Sequence, residues 1–440
     1  MLRPLTILRL SLFSFILSMC LPLAAANKNI VIDDIKFSIN TDTKVAQVKG
    51  RVTEATKKWK LVVPSTLLTD WGTIKVTSIG ADSFYYDEYL TSVTLSDYTE
   101  TIGSNAFLGC HNLTSVSLGS KLTIVGYRAF SNSGLKEVTF PASLQIIRQE
   151  AFYHSSALKR VIFESGSKKL ESIGKSAFAQ TGLTSVTLPG CVKEIGERAF
   201  WCCESMESVT LLGGNGKTVV GEDAFSNNDL LSTLNLGNPG IETIMDGAFC
   251  GNCLEKVILP ASVRTIGVGA FWSNNIQFLK ISEGVTTIGE RAFSDQISKG
   301  SDGMAAIDIP ASVKSIGKEA FTFSGRNLQE VICRAAVPPS APEQAFDSNT
   351  LTSTPLSVVI PSVEAYRSAP TWKDFNVIKG IGQPIPTDIV ETESDEENKE
   401  TRWMDLHGVE IPHSPTLPGL YIRISGGVTE KIYIPTHLSR

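Results

Sequence analysis

Apolar residues recur along most of this chain in one short phrase. Its clearest copy is IGERAF at residues 195–200, followed by Met206, Val209 and Leu211. Successive copies are separated by steps such as 107 − 84 = 23 and 200 − 178 = 22 residues. A repeat in this range indicates a solenoid built of stacked coils. Counted by the aromatic residue, the copies fall at Phe84, Phe107, Phe130, Phe152, Phe178, Phe200, Phe225, Phe249, Phe271, Phe293, Phe321 and Phe346.

Each phenylalanine is followed by a segment of the form Leu-x-x-Val-x-Leu. Leu183, Val186 and Leu188 form one such segment, and Pro189 closes it. The pattern predicts one short strand per coil, with Val and the last Leu turned inward and the proline ending the strand. One coil cannot bury its own apolar side, but stacked coils share a core. We therefore expect the phenylalanines to stack from coil to coil on the opposite wall.

A glycine follows the isoleucine in most copies, as in Gly196. We expect this glycine to supply a turn with positive φ, because glycine adopts that conformation without steric cost. Arg148 and Met245 occupy the corresponding place in two copies, so glycine is preferred there but not obligatory. The alanine that precedes all but the first of these phenylalanines is small enough to let neighbouring coils approach.

The full cycle, Ile-Gly-x-x-Ala-Phe followed by Leu-x-x-Val-x-Leu-Pro, closely resembles the BspA-like (Treponema-type) leucine-rich repeats of bacterial surface proteins. The resemblance covers residues 76–381 and is specific, because it rests on about a dozen copies. It implies a leucine-rich-repeat solenoid with one short strand per coil and mostly irregular or short helical return segments. It also implies a role among surface adhesins and binding proteins, whose partners vary.

The chain before the repeats divides into two segments. Residues 1–26 have the form of a secretory signal peptide, with Arg3 and Arg9, an apolar run and three alanines before Asn27. The mature chain is expected to begin at Asn27, and lipidation at Cys20 stays open. Residues 27–75 lack the repeat. Two alternating runs around a polar turn at 40–43 predict a β-hairpin that caps the first coil.

The chain after the repeats is predicted to contain a closing coil, a linker and a small module. Phe346, Tyr366 and Trp372 belong to the degenerate last coil, which is expected to cap the core. Residues 382–401 are rich in Pro and acidic side chains and cannot bury apolar surface, so they are expected to form an acidic linker. Residues 402–440 have a β pattern but are too short for an independent core. Their phrasing resembles the C-terminal sorting tails of the type IX secretion route.

Composition and charge exclude several classes of protein and of partner. The chain is 42% hydrophobic and 19% charged, with a mean hydropathy of +0.06, which excludes a disordered chain and a polytopic membrane protein. After loss of the signal peptide its net charge is 38 − 45 = −7, which argues against nucleic acid as a partner. No later stretch has about 18 uninterrupted apolar residues, so no membrane span is expected in the mature chain. We expect a monomer.

Seven cysteines remain in the mature chain, an odd number that leaves the disulfide state open. Cys250 and Cys253 have the spacing of a thioredoxin-like motif or half a zinc site. The motif lacks a βαβ context and a second Cys/His pair, so local packing or a loop disulfide is the favoured interpretation. Cys202 and Cys203 should lie roughly 10 Å from this pair, beyond disulfide reach. The full set is Cys110, Cys191, Cys202, Cys203, Cys250, Cys253 and Cys333.

Other catalytic signals are weak. Residues 213–218 (GGNGKT) resemble the end of a phosphate loop, but a core strand residue, Leu211, stands where the leading glycine should be. The five histidines share no metal-ligand spacing. We therefore predict that the protein is not an enzyme and needs no cofactor or metal.

The outward strand residues are the first place to look for a binding surface. In several coils they are Ser or Thr, which says little about a ligand. Later they become Lys256 and Ile258, then Phe278 and Lys280, which predicts a contact patch; an accident of composition is the alternative. Three aromatic residues directly follow a phenylalanine of the repeat, and they predict either a second aromatic surface or a shield for the phenylalanines. They are Tyr153, Trp201 and Trp272.

The sequence thus predicts an exported, adhesin-like protein, secreted or held at the outer cell surface. It would present one face of the solenoid to a host or bacterial surface protein or glycan, which the sequence does not identify. The first alternative is a structural spacer without a ligand of its own. The second is a thiol-redox enzyme using Cys250 and Cys253.

Overall fold

The structure is a computed structural model of the chain. It describes residues 27–381 except 215–216, 238–239, 297–301 and 327, together with the strands at 402–404, 410–411, 419–425 and 428–434. The predicted signal peptide with Cys20 and the predicted acidic linker at 382–401 lie outside the described residues.

The N-terminal cap begins with three antiparallel strands, Asn27–Ile32, Ile35–Asn40 and Val45–Arg51. The last two enclose the polar turn that the sequence indicated, so the predicted hairpin is confirmed. Val45–Arg51 then pairs in parallel with Gly72–Ile79, which leads into the first coil. Thr66–Thr69 pairs with this strand as well, in the antiparallel sense. The cap therefore continues the sheet of the solenoid and covers its end.

The predicted strand is present in every coil of the solenoid. Its alternation buries the central and last apolar residues, as Val186 and Leu188 show. Trp59–Val62 of the cap pairs with the first of these strands. The strands are Leu90–Thr94, Ser115–Ser117, Glu137–Phe140, Arg160–Phe163, Ser185–Leu188, Ser208–Leu211, Thr233–Leu236, Lys256–Ile258, Phe278–Lys280, Ala306–Ile309, Glu330–Cys333, Leu356–Val359 and Ile378–Ile381. Their outer surface is called the strand face below.

The structure adds a second strand to most coils, at the isoleucine of the repeat. These strands join those of the cap in one sheet of 15 strands, whereas the strand face is divided among several smaller sheets. Most of them are only two residues long, too short for an alternating pattern to show in the sequence. They are Thr101–Ile102, Ile124–Val125, Ile146–Ile147, Ser172–Ile173, Glu194–Ile195, Thr218–Val220, Ile241–Ile244, Thr265–Ile266, Thr287–Ile288 and Ser315–Ile316.

The phenylalanines of the repeat form one continuous column, as predicted. From Phe84 to Phe346, neighbouring rings lie 4.9–5.6 Å apart between centroids and within 12° of parallel. Backbone hydrogen bonds also link neighbouring coils at the phenylalanine column. The N–H of Phe200, for example, donates to the carbonyl of Ala224 in the next coil at 2.8 Å. The leucine-rich-repeat solenoid is thus confirmed.

The explanation predicted for the repeat glycine is wrong. Gly196 and its equivalents are absent from the left-handed region of φ among the described residues. They are needed for close approach instead, because a Cβ on Gly196 would lie 2.8 Å from the backbone of Gly174 in the preceding coil. Positive φ occurs two residues before and two residues after each column phenylalanine from Phe84 to Phe321, as at Arg198 (54°) and Cys202 (51°).

A buried polar ladder runs beside the column, three residues after each phenylalanine from Phe107 to Phe321. Its side chains bond to backbone groups that the turns leave unpaired. The Asn274 amide donates to the carbonyls of Phe249 and Phe271 and accepts from the N–H of Leu254. The sequence did not predict this ladder. Its members include Cys110, Ser133, Ser155, Thr181, Cys203, Asn228, Asn252, Asn274, Gln296 and Ser324.

The C-terminal end of the solenoid is closed by aromatic side chains. Trp372 and Phe375 meet Phe346 edge-on at 5.6 and 5.4 Å, and the Tyr366 hydroxyl donates to the carbonyl of Ala335 at 2.8 Å. These side chains form a cap over the last ring of the column. It is built from the α-helices Ser348–Ser353 and Val363–Ser368 and the 3-10 turns Ile360–Ser362 and Trp372–Asp374.

The described part of the C-terminal module is an antiparallel sheet of four strands. Its proposed role as a sorting tail stays a prediction. No helix within the described part of the chain is long and apolar enough to cross a membrane. The strands of the module are Arg402–Met404, Glu410–Ile411, Gly419–Ser425 and Val428–Ile434.

Candidate functional site

The four residues predicted to form a contact patch lie together on the strand face. Lys256–Ile258 and Phe278–Lys280 are neighbouring parallel strands, with Lys256 opposite Phe278 and Ile258 opposite Lys280. Ile258 is 44% exposed and Phe278 is 37% exposed. The structure therefore brings together two apolar and two cationic side chains. We call these four residues the contact patch.

The fold fixes these side chains outward because their neighbours are core residues. Val257 is fully buried between Lys256 and Ile258, and the half-buried Leu279 packs against the core in the next strand. With a period of two, the flanking side chains must point to solvent. The Lys256 ammonium lies 5.5 Å from the centroid of the Phe278 ring, in a cation–π arrangement. The patch thus has a defined shape on a rigid support.

The strand face changes character along the solenoid. Ser185 pairs with Ser208 and Thr187 with Thr210, which gives a row of small hydroxyl groups. On the C-terminal side of the contact patch, the Arg334 guanidinium binds both carboxylate oxygens of Asp308 at 2.8 Å. The patch therefore lies between an uncharged polar surface and a charged one.

The second aromatic surface is not formed. Trp272 is 43% exposed, whereas Tyr153 and Trp201 are half-buried. Tyr153 and Trp201 belong to coils two steps apart, and Trp201 and Trp272 to coils three steps apart. At about 4.8 Å per coil, their backbones are separated by roughly 10 and 15 Å. They do not join into one surface.

The buried thiols take part in hydrogen bonds inside the solenoid. Cys110, Cys191, Cys202, Cys203 and Cys333 are free thiols. Cys110 and Cys203 belong to the polar ladder, where their thiols donate to the carbonyls of Phe84 and Phe178. Burial raises the pKa of Cys110 to about 12 and that of Cys203 to about 11, so both stay protonated at neutral pH. The Cys253 thiol donates to the carbonyl of Asp229 at 3.0 Å.

The described residues contain no group of three or more His, Cys, Asp or Glu side chains placed to hold a metal ion. They do contain a concave region that the sequence did not predict. Trp272 lines this region together with Phe323, which is 51 residues away along the chain (323 − 272 = 51). A signal was present in the sequence: Phe323 stands two residues after a column phenylalanine, where most other coils carry a small or polar residue.

Comparison with solved structures finds several bacterial repeat proteins. A leucine-rich repeat protein from Bacteroides ovatus is 21% identical over 75% of this chain and 99% of its own, with a TM-score of 0.34. A leucine-rich cell surface protein from Faecalibacterium prausnitzii is 21% identical over 81% and 95%, with a TM-score of 0.38. The pneumococcal vaccine antigen PcpA is 20% identical over 80% and 98%, also with a TM-score of 0.38.

The TM-scores are too low for these structures to support an argument about function. No curated protein matches the sequence. The family model does match. The BspA type leucine-rich repeat region is found in six copies, over residues 77–207, 171–299 and 297–367. Together these ranges span 367 − 77 + 1 = 291 of the 440 residues. The chain therefore belongs to the family of BspA-type leucine-rich repeat proteins.

Proposed function

We propose that this protein is an exported, adhesin-like binding protein of the cell surface. It would use the contact patch to hold a surface protein or glycan of a host or of another bacterium. The family is one of surface proteins, which supports the placement. Export would begin with cleavage before Asn27, and the sheet within residues 402–434 would serve as the sorting tail. The mature protein would act as a monomer.

The observation that carries the proposal is the arrangement of the contact patch. Interface centres combine a desolvated apolar anchor with a polar rim. Phe278 and Ile258 would be the anchors, and Lys256 and Lys280 the rim. The parallel pairing of the two strands holds all four in place before a ligand arrives. Such preorganisation lowers the entropy lost on binding.

Replacing Phe278 by alanine is expected to weaken adhesion by about 1–3 kcal/mol, because the aromatic anchor is lost. The melting temperature should change little, since the outward side chain supports no core. The ligand would first be identified by screening residues 27–380 against extracellular-matrix proteins and glycan arrays. Affinity would then be compared between the wild type and the variant.

The matched control is Thr210→Ala, which truncates an outward side chain on the hydroxyl surface. It should leave adhesion unchanged. If adhesion survives Phe278→Ala but is lost in Thr210→Ala, the contact patch is an accident of composition. A solenoid that retains no ligand in the whole screen would favour the spacer instead.

The thiol-redox alternative predicts chemistry at Cys253. Proteins of this repeat family are generally non-enzymatic, and we propose that Cys250 and Cys253 are structural. Replacing both by serine should leave adhesion intact. Insulin reduction should be indistinguishable between the wild type and the double variant. Insulin reduction by the wild type that disappears in the variant would establish the enzyme.

A further inference from the structure

We propose that the concave region beside Trp272 and Phe323 is a second binding site, for a lysine or arginine side chain presented by a basic segment of a partner protein. It is separate from the contact patch. The contact patch is formed by strands. This site is formed by the turns on either side of individual column phenylalanines and by the C-terminal cap. We call it the aromatic pocket.

The aromatic pocket is a cleft of about 810 Å³. Phe346, the last ring of the column, is buried there and is one of its walls. Trp272 and Phe323 are 43% and 60% exposed, so both leave aromatic surface available to a ligand. The cleft is large enough for several side chains of a peptide or for a small sugar, and the lining chemistry decides between these.

The backbone conformation of Phe323 lowers the stability of the fold. Phe323 adopts φ = 52°, in the left-handed region that bulky residues avoid. Most of its ring lies in solvent, so burial does not offset this cost. Other coils place Gly109, Asn132 or Asn227 at the same position, two residues after a column phenylalanine. Those residues suit the conformation, and the stability of the fold therefore does not explain the aromatic ring.

The backbone of Phe323 is nevertheless held in place on both sides. Its N–H donates to the Asp347 carboxylate at 3.1 Å, and its carbonyl accepts from the N–H of Gln296 at 3.0 Å. Asp347 is itself fixed, because it also accepts the N–H of Thr350 at the start of a helix. An exposed ring on a pinned backbone is a preorganised contact surface.

The charges that line the aromatic pocket favour a cation. Four carboxylates line it, against one guanidinium. That guanidinium, Arg291, already binds Glu319 at 2.5 Å, and Lys318 approaches the same carboxylate at 3.4 Å. The remaining carboxylates are those of Asp295, Glu343 and Asp347.

An ammonium or guanidinium group would meet these carboxylates and the exposed aromatic rings of Trp272 and Phe323. Aromatic rings attract such cations electrostatically. An anionic ligand would be repelled. A neutral saccharide could stack on the same rings, but it would gain nothing from the unbalanced negative charge. The lining chemistry therefore favours a basic protein segment over a sugar.

The test uses the full mature chain and a fluorescein-labelled hexalysine peptide, with binding followed by fluorescence anisotropy. Phe323→Asn should weaken binding by about fivefold to thirtyfold, the loss expected for one desolvated cation–π contact. Its melting temperature should stay the same or rise, because asparagine tolerates positive φ. A loss of binding together with an unchanged or higher melting temperature separates a binding role from a structural one.

Two further comparisons complete the test. Asp295→Asn with Glu343→Gln should weaken binding more than Glu207→Gln with Glu242→Gln, which removes the same charge from exposed sites outside the pocket. Phe278→Ala should leave peptide binding unchanged. The proposal is overturned if both charge pairs act equally or if Phe323→Asn binds like the wild type. It is also overturned if chitohexaose, but not the peptide, is retained through Trp272 and Phe323.

Discussion

Replacing Asn274 by leucine is expected to lower the free energy of unfolding by about 2–6 kcal/mol. It orphans one buried N–H, which costs about 1–3 kcal/mol, and removes two further hydrogen bonds worth about 0.5–1.5 kcal/mol each. The side chain is fully buried and satisfies backbone groups in two coils. Its amide donates to the carbonyls of Phe249 and Phe271 at 2.9 and 3.0 Å and accepts from the N–H of Leu254 at 3.1 Å. Leucine fills a similar volume but forms none of these bonds. The N–H of Leu254 then loses its acceptor, whereas the two carbonyls still accept bonds from the amides of Asn252 and Gln296. Urea denaturation monitored by circular dichroism would measure the loss.

Two variants make this experiment specific. Asn235→Leu is the same change at an exposed position of the strand face, and surface substitutions of that kind usually alter stability by less than about 0.5 kcal/mol. Asn274→Gln should lose less than Asn274→Leu, because Gln296 fills the equivalent position in the next coil. Equal losses for Asn274→Leu and Asn235→Leu would mean that the polar ladder contributes nothing to stability.

Truncating Phe200 to alanine is expected to cost about 3–5 kcal/mol, as deep phenylalanine truncations do. The ring is fully buried, 5.2 Å from Phe178 and 4.9 Å from Phe225 between centroids. Its removal opens a cavity in the middle of the column, where hydrogen bonds between coils on both sides limit collapse. Thermal unfolding would show the effect as a lower midpoint.

The adjacent Trp201→Ala variant is a suitable control, because Trp201 is also a large aromatic residue but is only half-buried. It should lose clearly less stability than Phe200→Ala. A melting temperature that Phe200→Ala leaves unchanged would show that the column does not hold the coils together.

The apolar core was predictable because its chemistry is the same in every coil. Ile195, Phe200, Val209 and Leu211 have apolar counterparts one period away, and repetition marks them as inward. The polar ladder lacks that regularity. Cys203, Thr181, Asn228 and Gln296 share the ability to donate a hydrogen bond, but they do not share size or residue type. A search for a hydrophobic pattern therefore does not detect the residues of the polar ladder.

The repeat glycine shows a different limit. A glycine in a sequence is compatible with positive φ or with a close neighbour, and Gly196 proved to be the second case. The residues that do adopt positive φ include Arg198 and Glu150, which give no such indication in the sequence. Hydrogen bonds between coils hold them in this conformation, so it is a property of the stack and not of the residue.

The contact patch could be predicted from the sequence, whereas the aromatic pocket could not. Lys256 and Phe278 are separated by one period of 22 residues (278 − 256 = 22), so the repeat itself places them side by side. Trp272 and Phe323 stand at different positions of coils that are two steps apart. One step between them is 321 − 293 = 28 residues long. Only the path of the turns in three dimensions shows that both line one cleft.

The hydrogen bonds between coils also determine how the molecule responds to mechanical force. They run along the axis of the stack, both in the 15-stranded sheet and at the phenylalanine turns. Tension on the two ends therefore acts along these hydrogen bonds, and they break one coil at a time. Each 22-residue coil that opens releases roughly 75 Å of extended chain. In flowing liquid, such stepwise lengthening would dissipate a sudden load before it reached a bound ligand.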